Sequence, residues 1–569
     1  MSDIKFVGLH AHSVAGSPFD GFGFPQDHMD FAYENGCAAL ALTDHGNMNG
    51  LSYQVLHAKK MAKEGKDFKP IFGVEAYFVP SVSEWKKNYE EHKADKKKAR
   101  KLDKGQSGTT IENEGETKSK GRSELNRSRH LVLLAMNQEG LNNIFKLVSE
   151  SYTGDYFYRK PRIDYDLLSK YSDGVIGLSA CLGGVYAGNY WEHREEGAEA
   201  VLAAMRETTR RMVEIFGDRW YGELQWNNVP EQHALNQYII KVCGEMGVKL
   251  VSTADSHYPN PNAWDDRELY KRLGWLGKGK PEWLDMTLPV SVEEIGYELY
   301  PKNGQQMWDA YNYYSKECGA EYDDQLVMDS IEESHRIAFE RVDRFYPDDT
   351  VRLPDFVVPS GYNDNDWLKR LSSEGLFNIL KKNNLIDNKK TVAEYEERLN
   401  HELKVIADRG FSKYFLTMKA ITDRTNEIQL SGPGRGSAAG SLVAYSLGIT
   451  QVDPIKYGLL FSRFLRADAT DYPDIDYDVS DPMVLKEHLI AEWGNNTVVP
   501  ISNFNTLQLR SLIKDISKLY DVPFTEVNTV TNKMLREATP RAKADHGIKA
   551  GVYTPTFHEV IKYSDSLQN

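Results

Sequence analysis

Short apolar runs separated by segments of helix length recur through the N-terminal half of the chain. The runs lie at residues 6–9, 39–42, 70–74, 131–135, 175–180 and 249–253. Runs this short, with helix-length segments between them, predict parallel strands in β/α units that are covered on both faces. We therefore predict an α/β multidomain fold that opens with a β/α barrel.

Residue types that bind metals stand at the ends of these runs. They are His10, His12, His45, Glu75, His130, Cys181, Asp255 and His257. In an extended chain, residues two apart point to the same side, which pairs His10 with His12 and Asp255 with His257. One such residue alone is more often a cap or a core residue, and a lone cysteine is more often a small buried hydrophobe. The repetition at one strand end after another predicts a metal site, because strand ends converge in a β/α barrel.

A glycine-rich turn, GPGRGSAAG, occupies residues 432–440. It follows a short run at 427–430 that looks extended, and it precedes a mostly apolar segment at 441–447 that predicts a helix. The order strand, glycine turn, helix can aim backbone N–H groups at a phosphate.

Three carboxylates follow the turn at alternate positions. Asp474, Asp476 and Asp478 are separated by the β-prone residues Ile475 and Tyr477. In a strand, all three side chains would project from one face. Three acids so close repel one another unless a cation lies between them, and oxygen ligands suit Mg²⁺.

The glycine-rich turn and the acidic alternation also have purely structural interpretations. The turn can be an ordinary loop, and the acids can form the solvent-exposed face of an edge strand. The known alternatives fit poorly. A P-loop needs a Lys after the glycines, a dinucleotide-binding turn needs an acid at the end of the next strand, and an EF-hand needs Gly at Val479 and Glu at Leu485. Enzymes that transfer nucleotides by a two-metal mechanism need a phosphate-binding turn and metal-binding carboxylates, and this stretch offers candidates for both.

The composition fits several domains in a reducing compartment. A length of 569 residues suggests roughly three or four domains. We find no apolar run long enough to cross a bilayer and no secretory signal pattern. The four cysteines lie far apart, which favours a cytoplasmic protein over a disulfide framework. The net charge of −14 argues weakly against DNA binding, although a local basic groove is compatible with it.

The motifs around the glycine turn resemble the C-family replicative DNA polymerases, the bacterial DNA polymerase III alpha subunits. The matching order is GPGRGSAAGSLVAY, then DP-x-x-YGLLF-x-RFL, then PDID-x-D. The resemblance implies synthesis of DNA from dNTPs on a primer–template. It implies that Asp474 and Asp476 are catalytic and carry Mg²⁺, with Asp478 in support. It assigns phosphate binding to Arg435, Gly436, Ser437 and Arg463.

The N-terminal motifs resemble the PHP (polymerase and histidinol phosphatase) domain that opens these polymerases. The stretch DYFYRKPRIDYDLLSKYSDGVIGLSACLGG belongs to the same resemblance. The implied metal ligands are His10, His12, Asp20, His45, Glu75, His130, Cys181, Asp255 and His257. Mixed His, carboxylate and Cys ligands suit Zn²⁺, Mn²⁺ or Fe, and the full set implies a 3′→5′ proofreading exonuclease.

The resulting domain prediction has three parts. Residues 1–285 form the PHP domain, 286–500 the first part of a polymerase palm, and 501–569 a partial helical thumb. Residues 83–128 are rich in charge and nearly free of apolar residues, which predicts a flexible insertion in the PHP domain.

In the family, a third catalytic carboxylate, the fingers and a clamp-binding tail follow the thumb, and the sequence ends before them. We therefore expect either a fragment or one half of a split polymerase, with a C-terminal polypeptide that would also contact the sliding clamp. Two alternatives stay open: a stand-alone metal-dependent PHP phosphoesterase, and a non-catalytic subunit of a split polymerase. Each belongs in the cytoplasm of a bacterium or of a phage-infected bacterium.

Overall fold

The chain forms two compact units. The computed structural model describes residues 4–91, 128–277, 289–352, 356–495, 497–499, 501, 509–549, 551 and 553–568. One unit contains residues 1–348 and 504–569, and the other contains residues 349–503. This division differs from the predicted boundaries at 285 and 500. The difference arises because Met307, Tyr311 and Ile331 are buried in the same core as the sheet of the first unit.

The first unit is built on one curled sheet with helices packed against it. Its strands are β1 (Ala39–Leu42), β2 (Lys69–Phe78), β3 (Arg129–Ala135), β4 (Phe157–Tyr158), β5 (Lys160–Ile163), β6 (Val175–Leu178), β7 (Trp220–Leu224) and β8 (Lys249–Ser252). Its helices are α1 (Pro25–Glu34), α2 (Leu51–Lys63), α3 (Gln138–Ser151), α4 (Tyr165–Lys170), α5 (Val185–His193), α6 (Ala198–Phe216), α7 (Pro230–Met246), α8 (Trp264–Gly277), α9 (Val292–Ile295), α10 (Gly304–Glu317) and α11 (Asp324–Arg336).

The strand order is β4-β5-β2-β3-β6-β7-β8, with β1 paired to the first half of β2. Strand β3 runs antiparallel to both β2 and β6, so the prediction of parallel strands throughout is wrong. An apolar run that is covered on both faces carries no information about direction, which depends on how the chain crosses over. The pairs β1–β2, β2–β5, β6–β7 and β7–β8 are parallel, and of these only β1–β2 joins two of the predicted runs.

The N-terminal extended segment brings the two ends of the sheet towards each other. Gly8 forms a bridge to Leu40 of β1, and Ala11 forms one to Ser256, just after β8. The sheet therefore curls, and the predicted α/β fold class is confirmed. Residues inside the curl, including Val7, Leu9 and Val132, are fully buried.

Part of the predicted insertion is ordered. Residues 82–91 are helical, which corrects the start of the predicted flexible segment at 83. Trp85 and Tyr89 stack there with ring centroids 5.5 Å apart, and Tyr89 also packs on Tyr158. These aromatic rings supply apolar contacts that the highly charged composition of residues 83–128 did not indicate. The rest of the predicted insertion, residues 92–127, lies outside the described residues.

The first unit also contains the C-terminal helices, which are α17 (Leu509–Leu519), α18 (Phe524–Asp545), α19 (Phe557–Tyr563) and α20 (Asp565–Gln568). Residues from α18 and α19, among them Met534, Ala538 and Val560, share a small core. None of the helices in the described part of the chain is long and apolar enough to span a bilayer.

The second unit is mainly helical. Its helices are α12 (Asp364–Lys382), α13 (Lys389–Asp408), α14 (Ser412–Ile428), α15 (Leu442–Ser446) and α16 (Pro482–Trp493). Its core includes Ile406, Phe415 and Leu442. The predicted extended run at 427–430 is wrong in its first half, because α14 continues to Ile428 on the helical stripe of Phe415, Leu416 and Thr425 that it buries. The chain becomes extended only at Gln429.

Candidate metal centre and nucleotidyl-transfer site

The predicted metal ligands come together at one edge of the curled sheet. His10 and His12 lie on the N-terminal extended segment. Asp20 is in the loop before α1, His45 follows β1, Glu75 is in β2, His130 is in β3, Cys181 follows β6, and Asp255 and His257 follow β8. Strand direction matters little here, because antiparallel β3 presents its first residues at the edge where its neighbours end.

Glu75 is the centre of the cluster. This fully buried carboxylate lies 2.5 Å from His45 Nδ1, 2.9 Å from His130 Nδ1 and 3.4 Å from His10 Nε2. His12 Nε2 is 3.5 Å from Glu75 Oε2. Cys181 Sγ is 3.9 Å from Glu75 Oε1. One carboxylate therefore connects five of the predicted ligands.

Asp255 and Asp20 connect the rest. Asp255 Oδ1 lies 3.2 Å from Nε2 of both His10 and His12, and 3.5 Å from His257 Nδ1. Asp20 Oδ2 lies 3.0 Å from His45 Nε2 and 3.8 Å from His257 Nε2. The sequence-predicted set is thus one continuous constellation.

Several of these atoms are buried without a hydrogen bond. They are His10 Nε2, His12 Nε2, His45 Nδ1, Glu75 Oε2 and Asp255 Oδ1. Buried polar atoms with no partner are costly, unless something else satisfies them. Ligand atoms of the group His10, His12 and Glu75, and of the group His45, Glu75 and His130, lie within 4.8 Å of one another. This donor set fits transition-metal ions, because it mixes imidazole, carboxylate and thiol.

The electrostatics favour a cation at this place. Burial lowers the pKa of His45, but Glu75 and Asp20 outweigh burial and raise it to about 10. Burial, with Glu75 and Asp255 adding to it, raises the pKa of the Cys181 thiol well above its usual value. Burial lowers the pKa of His257 to about 3. Glu75 and Asp20 therefore favour a positive charge at His45, while His257 stays neutral, and a bound metal ion would favour the Cys181 thiolate.

Glu223 supports the centre and was missed by the sequence analysis. Its carboxylate lies 2.8 Å from His10 Nδ1 and accepts hydrogen bonds from Thr253 Oγ1 at 2.5 Å and from the Ala180 amide at 3.1 Å. It fixes the His10 ring so that Nε2 faces the ligands. One sequence feature could have indicated this role: Glu223 is the single carboxylate in the otherwise mostly apolar run WYGEL. The structure shows that every residue of this run is buried.

The glycine turn and the aspartates of the second unit lie against each other. Gly432 N donates to the Asp478 carbonyl at 2.9 Å, and Ser480 N donates to the Leu430 carbonyl at 3.1 Å. These two bonds, with a single bridge between Ser431 and Val479, pair the two segments in an extended arrangement. Residues 474–478 form no strand ladder within the described residues.

The acidic alternation behaves as predicted. Asp474, Asp476 and Asp478 are exposed, whereas Ile475 is buried. Gly436 has a φ of 64°, and a Cβ added there would lie 2.3 Å from Asp476 Oδ2. Only glycine lets the turn approach this carboxylate so closely.

The predicted phosphate-binding residues lie on the glycine turn and on a second turn that contacts it. Arg435 Nη1 pairs with Asp478 Oδ1 at 3.1 Å. Ser437 lies in the 3₁₀ turn Gly436–Gly440, which contacts the 3₁₀ turn Phe461–Arg463 that carries Arg463. The side chains of Arg435, Ser437 and Arg463 are exposed. Arg435 thus lies against the acids, and Ser437 and Arg463 lie on two turns that pack together.

An ion pair of α13, between the partly exposed Arg398 and the buried Glu402, contacts the end of the first 3₁₀ turn and Leu459 before the second, and it was also missed by the sequence analysis. Arg398 Nε donates to Glu402 Oε1 at 2.6 Å, and Arg398 Nη2 donates to the Gly440 carbonyl at 2.8 Å and to the Leu459 carbonyl at 3.2 Å. Glu402, which is fully buried, accepts from Ser441 Oγ at 2.9 Å. A single Arg–Glu pair in an amphipathic helix gives no signal of this role.

Two family models match this chain. Residues 8–227 match the model of the PHP domain. Residues 366–568 match the model of the bacterial DNA polymerase III alpha NTPase domain. The N-terminal part of the chain is therefore similar to PHP domains, and the C-terminal part is similar to the DNA polymerase III alpha NTPase domain.

Curated DNA polymerase III alpha subunits resemble almost the whole chain. The subunit of Aquifex aeolicus is 32% identical over 91% of this chain, and that of Borreliella burgdorferi is 32% identical over 93%. Each alignment covers 40% of the relative, so the chain spans less than half the length of these subunits.

The matched ranges cover most of the predicted residues. The PHP match includes the ligands from His10 to Cys181, while Asp255 and His257 lie beyond it. The DNA polymerase III alpha match includes the glycine turn and the aspartates. Among solved structures, an amidohydrolase from Chromobacterium violaceum aligns with 46% of this chain and 96% of its own, at 13% identity and a TM-score of 0.24.

Proposed function

We propose that this chain carries a template-directed DNA polymerase site, at which dNTPs are added to the 3′ end of a primer on template DNA. The observation that supports it most is the close approach of Gly436 to Asp476, because the glycine turn is proposed to bind phosphate and the carboxylate is proposed to bind metal. The similarity to DNA polymerase III alpha subunits points the same way.

The proposed roles follow from position. Asp474 and Asp476 would hold Mg²⁺, which stabilises the attacking and leaving oxygens when it is bound. The bare backbone at Gly436 leaves room for the phosphates of the dNTP, and the exposed Ser437, Arg435 and Arg463 would donate to their oxygens. Asp478 holds Arg435 by their ion pair and so acts in support.

Primer extension tests this proposal. A labelled primer–template, Mg²⁺ and one dNTP at a time should give extension only with the nucleotide that the template specifies. Loss of template dependence, or no extension with any dNTP, would contradict it.

For the metal centre we propose hydrolysis of the phosphodiester at a DNA 3′ end, as a proofreading exonuclease that uses Zn²⁺ or Mn²⁺. The supporting observation is the set of buried ligand atoms without hydrogen bonds around Glu75. The nine predicted ligands would hold the ions, whose chemistry is to activate water and to neutralise the phosphate. Glu223 and Arg267 orient the ligands: Glu223 holds His10, and Arg267 Nη2 holds Asp20 Oδ1 at 2.7 Å.

Metal analysis and 3′ trimming test this second proposal. The purified protein should retain a transition metal, and it should shorten a 3′-mismatched primer faster than a matched one. Protein that contains no transition metal and does not regain trimming with added Mn²⁺ or Zn²⁺ would contradict the exonuclease.

A further inference from the structure

A hairpin next to the metal centre continues the sheet outwards. Strands β4 and β5 pair antiparallel, and β5 also pairs with the end of β2, where Tyr77 is opposite Arg162. Glu75 precedes Tyr77 by two residues on β2, so both side chains project from the same face. The hairpin therefore pairs with β2 two residues after Glu75, the centre of the ligand cluster.

Tyr77 connects the hairpin to the metal ligands. Its ring centroid lies 6.1 Å from that of His45 and 5.5 Å from that of His130. Lys160 of β5 places its Nζ 4.0 Å from the centroid of the Tyr77 ring. This is within the distance of a cation–π interaction, so a positive charge lies next to the ligand cluster.

Two aromatic rings are stacked and exposed beside the hairpin. The rings of Tyr152 and Phe157 have centroids 5.5 Å apart and are inclined by 20°, yet the two residues are 45% and 44% exposed. Phe157 is opposite Pro161 in the hairpin, and a Cβ on Gly46 would meet Pro161 Cγ at 2.9 Å. Because Gly46 follows His45, the hairpin that carries Phe157 packs next to one of the predicted ligands.

The hairpin is also basic, in a chain whose net charge is −14. Arg159 occupies the turn with a φ of 59° and is exposed. The buried Arg162 donates from Nη1 to the carbonyls of Tyr158, at 2.7 Å, and Lys160, at 3.1 Å, so it holds the turn in shape. The nearby Asp155 is paired with Lys86 outside the turn.

We propose that Tyr77, Tyr152, Phe157, Arg159 and Lys160 form a surface that binds the unpaired 3′ end of single-stranded DNA and directs it to the metal centre. This inference rests on the exonuclease proposed for that centre. Aromatic faces stack on any base, and the two cations contact backbone phosphates. A base-paired end must first unpair before its bases can stack, so the surface selects frayed or mismatched ends.

Binding of a labelled oligodeoxythymidylate in EDTA tests the surface without any metal chemistry. With a probe of about 12 nucleotides, Tyr152→Ala/Phe157→Ala should weaken binding about tenfold, because two stacking positions are lost. Arg159→Gln/Lys160→Gln should reduce the slope of log K against log salt by about 1.4, at about 0.7 for each phosphate contact on single strands. Tyr313→Ala removes another tyrosine, 54% exposed on α10, and should change neither quantity.

Photocrosslinking locates the bound strand. A probe with 4-thiothymidine next to its 3′ end should crosslink to a peptide within residues 152–162. Crosslinks that fall only outside this range, or equal affinities for the wild-type protein and the Tyr152→Ala/Phe157→Ala protein, would overturn the inference.

The trimming assay separates this inference from the proposed function. The surface predicts a higher KM for trimming by the Tyr152→Ala/Phe157→Ala protein, with kcat little changed. Normal trimming with an unchanged KM would overturn the surface and leave the exonuclease in place. Binding that depends on Tyr152 and Phe157, without trimming by any metal-loaded protein, would overturn the exonuclease and retain the surface.

Discussion

A Cβ atom on Gly436 would lie 2.3 Å from Oδ2 of Asp476, although 40 residues separate the two in sequence. The glycine turn and the aspartates were recognised as separate patterns. Their contact explains why both occur in one short stretch: the turn needs a residue without a side chain where the carboxylate approaches.

Replacing Gly436 by Ala should impair extension without unfolding the second unit. The new methyl group must push aside the Asp476 carboxylate, which can rotate because it is exposed. A displacement of about 1 Å of a reacting group costs about a hundredfold in rate. Gly448→Ala is the matched control, because Gly448 has a similar φ of 77° and no atom within 4 Å of an added Cβ. Equal extension rates for the two variants, measured at equal thermal stability, would contradict the expected displacement.

Arg398→Met should destabilise the second unit more than Arg370→Met. Both arginines pair with a glutamate four residues later, but Glu402 is 0% exposed whereas Glu374 is 56% exposed. Removing one partner of a buried pair costs about 3–5 kcal/mol, and an exposed pair contributes about 0–1 kcal/mol. Because Arg398 is itself partly exposed, we expect a difference near the lower end, about 2–3 kcal/mol. Urea unfolding measures it, and equal losses would show that the Arg398 anchor is unimportant.

Glu223→Gln should weaken metal retention while the fold is kept. The amide keeps the shape of the side chain but removes the charge that orients His10, and such outer partners contribute about 10–100-fold in metal affinity. Competition with a chelator measures the change. Glu333→Gln is the control, since Glu333 is also buried but pairs with Lys249 and Arg336 instead. A metal affinity that is unchanged in Glu223→Gln would show that His10 is held without the carboxylate.

His28 should make the first unit less stable in acid. Burial lowers its pKa to about 4, and its Nε2 donates to the Phe22 carbonyl. The unfolded chain therefore binds more protons than the folded one between about pH 6.5 and pH 4, so stability falls as the pH decreases through this window. The contribution of His28 between pH 7 and pH 5 is about 2 kcal/mol. In His28→Gln, the loss of unfolding free energy over this range should be smaller by that amount, and an equal loss would contradict the assignment.

The grouping of the proposed metal ligands could be predicted because their positions depend on local rules. Strand ends meet at one edge of a sheet, so His10, His45 and Glu75 can be grouped without knowing the topology. The direction of β3 was not predictable, because a buried apolar run has the same pattern in a parallel and in an antiparallel strand. Glu223 and Arg398 were missed because their roles depend on partners far away in sequence, which no periodicity reveals. The boundary near 285 was missed because the burial of Met307 against the sheet is a tertiary contact.

One experiment with three proteins tests the central claim, that the chain carries two separate active sites. Wild-type, Asp474→Ala/Asp476→Ala and Asp255→Asn proteins are given the same labelled primer–template with Mg²⁺, Mn²⁺ and dNTPs, and extension and 3′ trimming are read on one gel. The account predicts that the Asp474→Ala/Asp476→Ala protein trims but does not extend, and that Asp255→Asn extends but does not trim. Extension at the wild-type rate by the Asp474→Ala/Asp476→Ala protein, or loss of both activities in either folded variant, would contradict it.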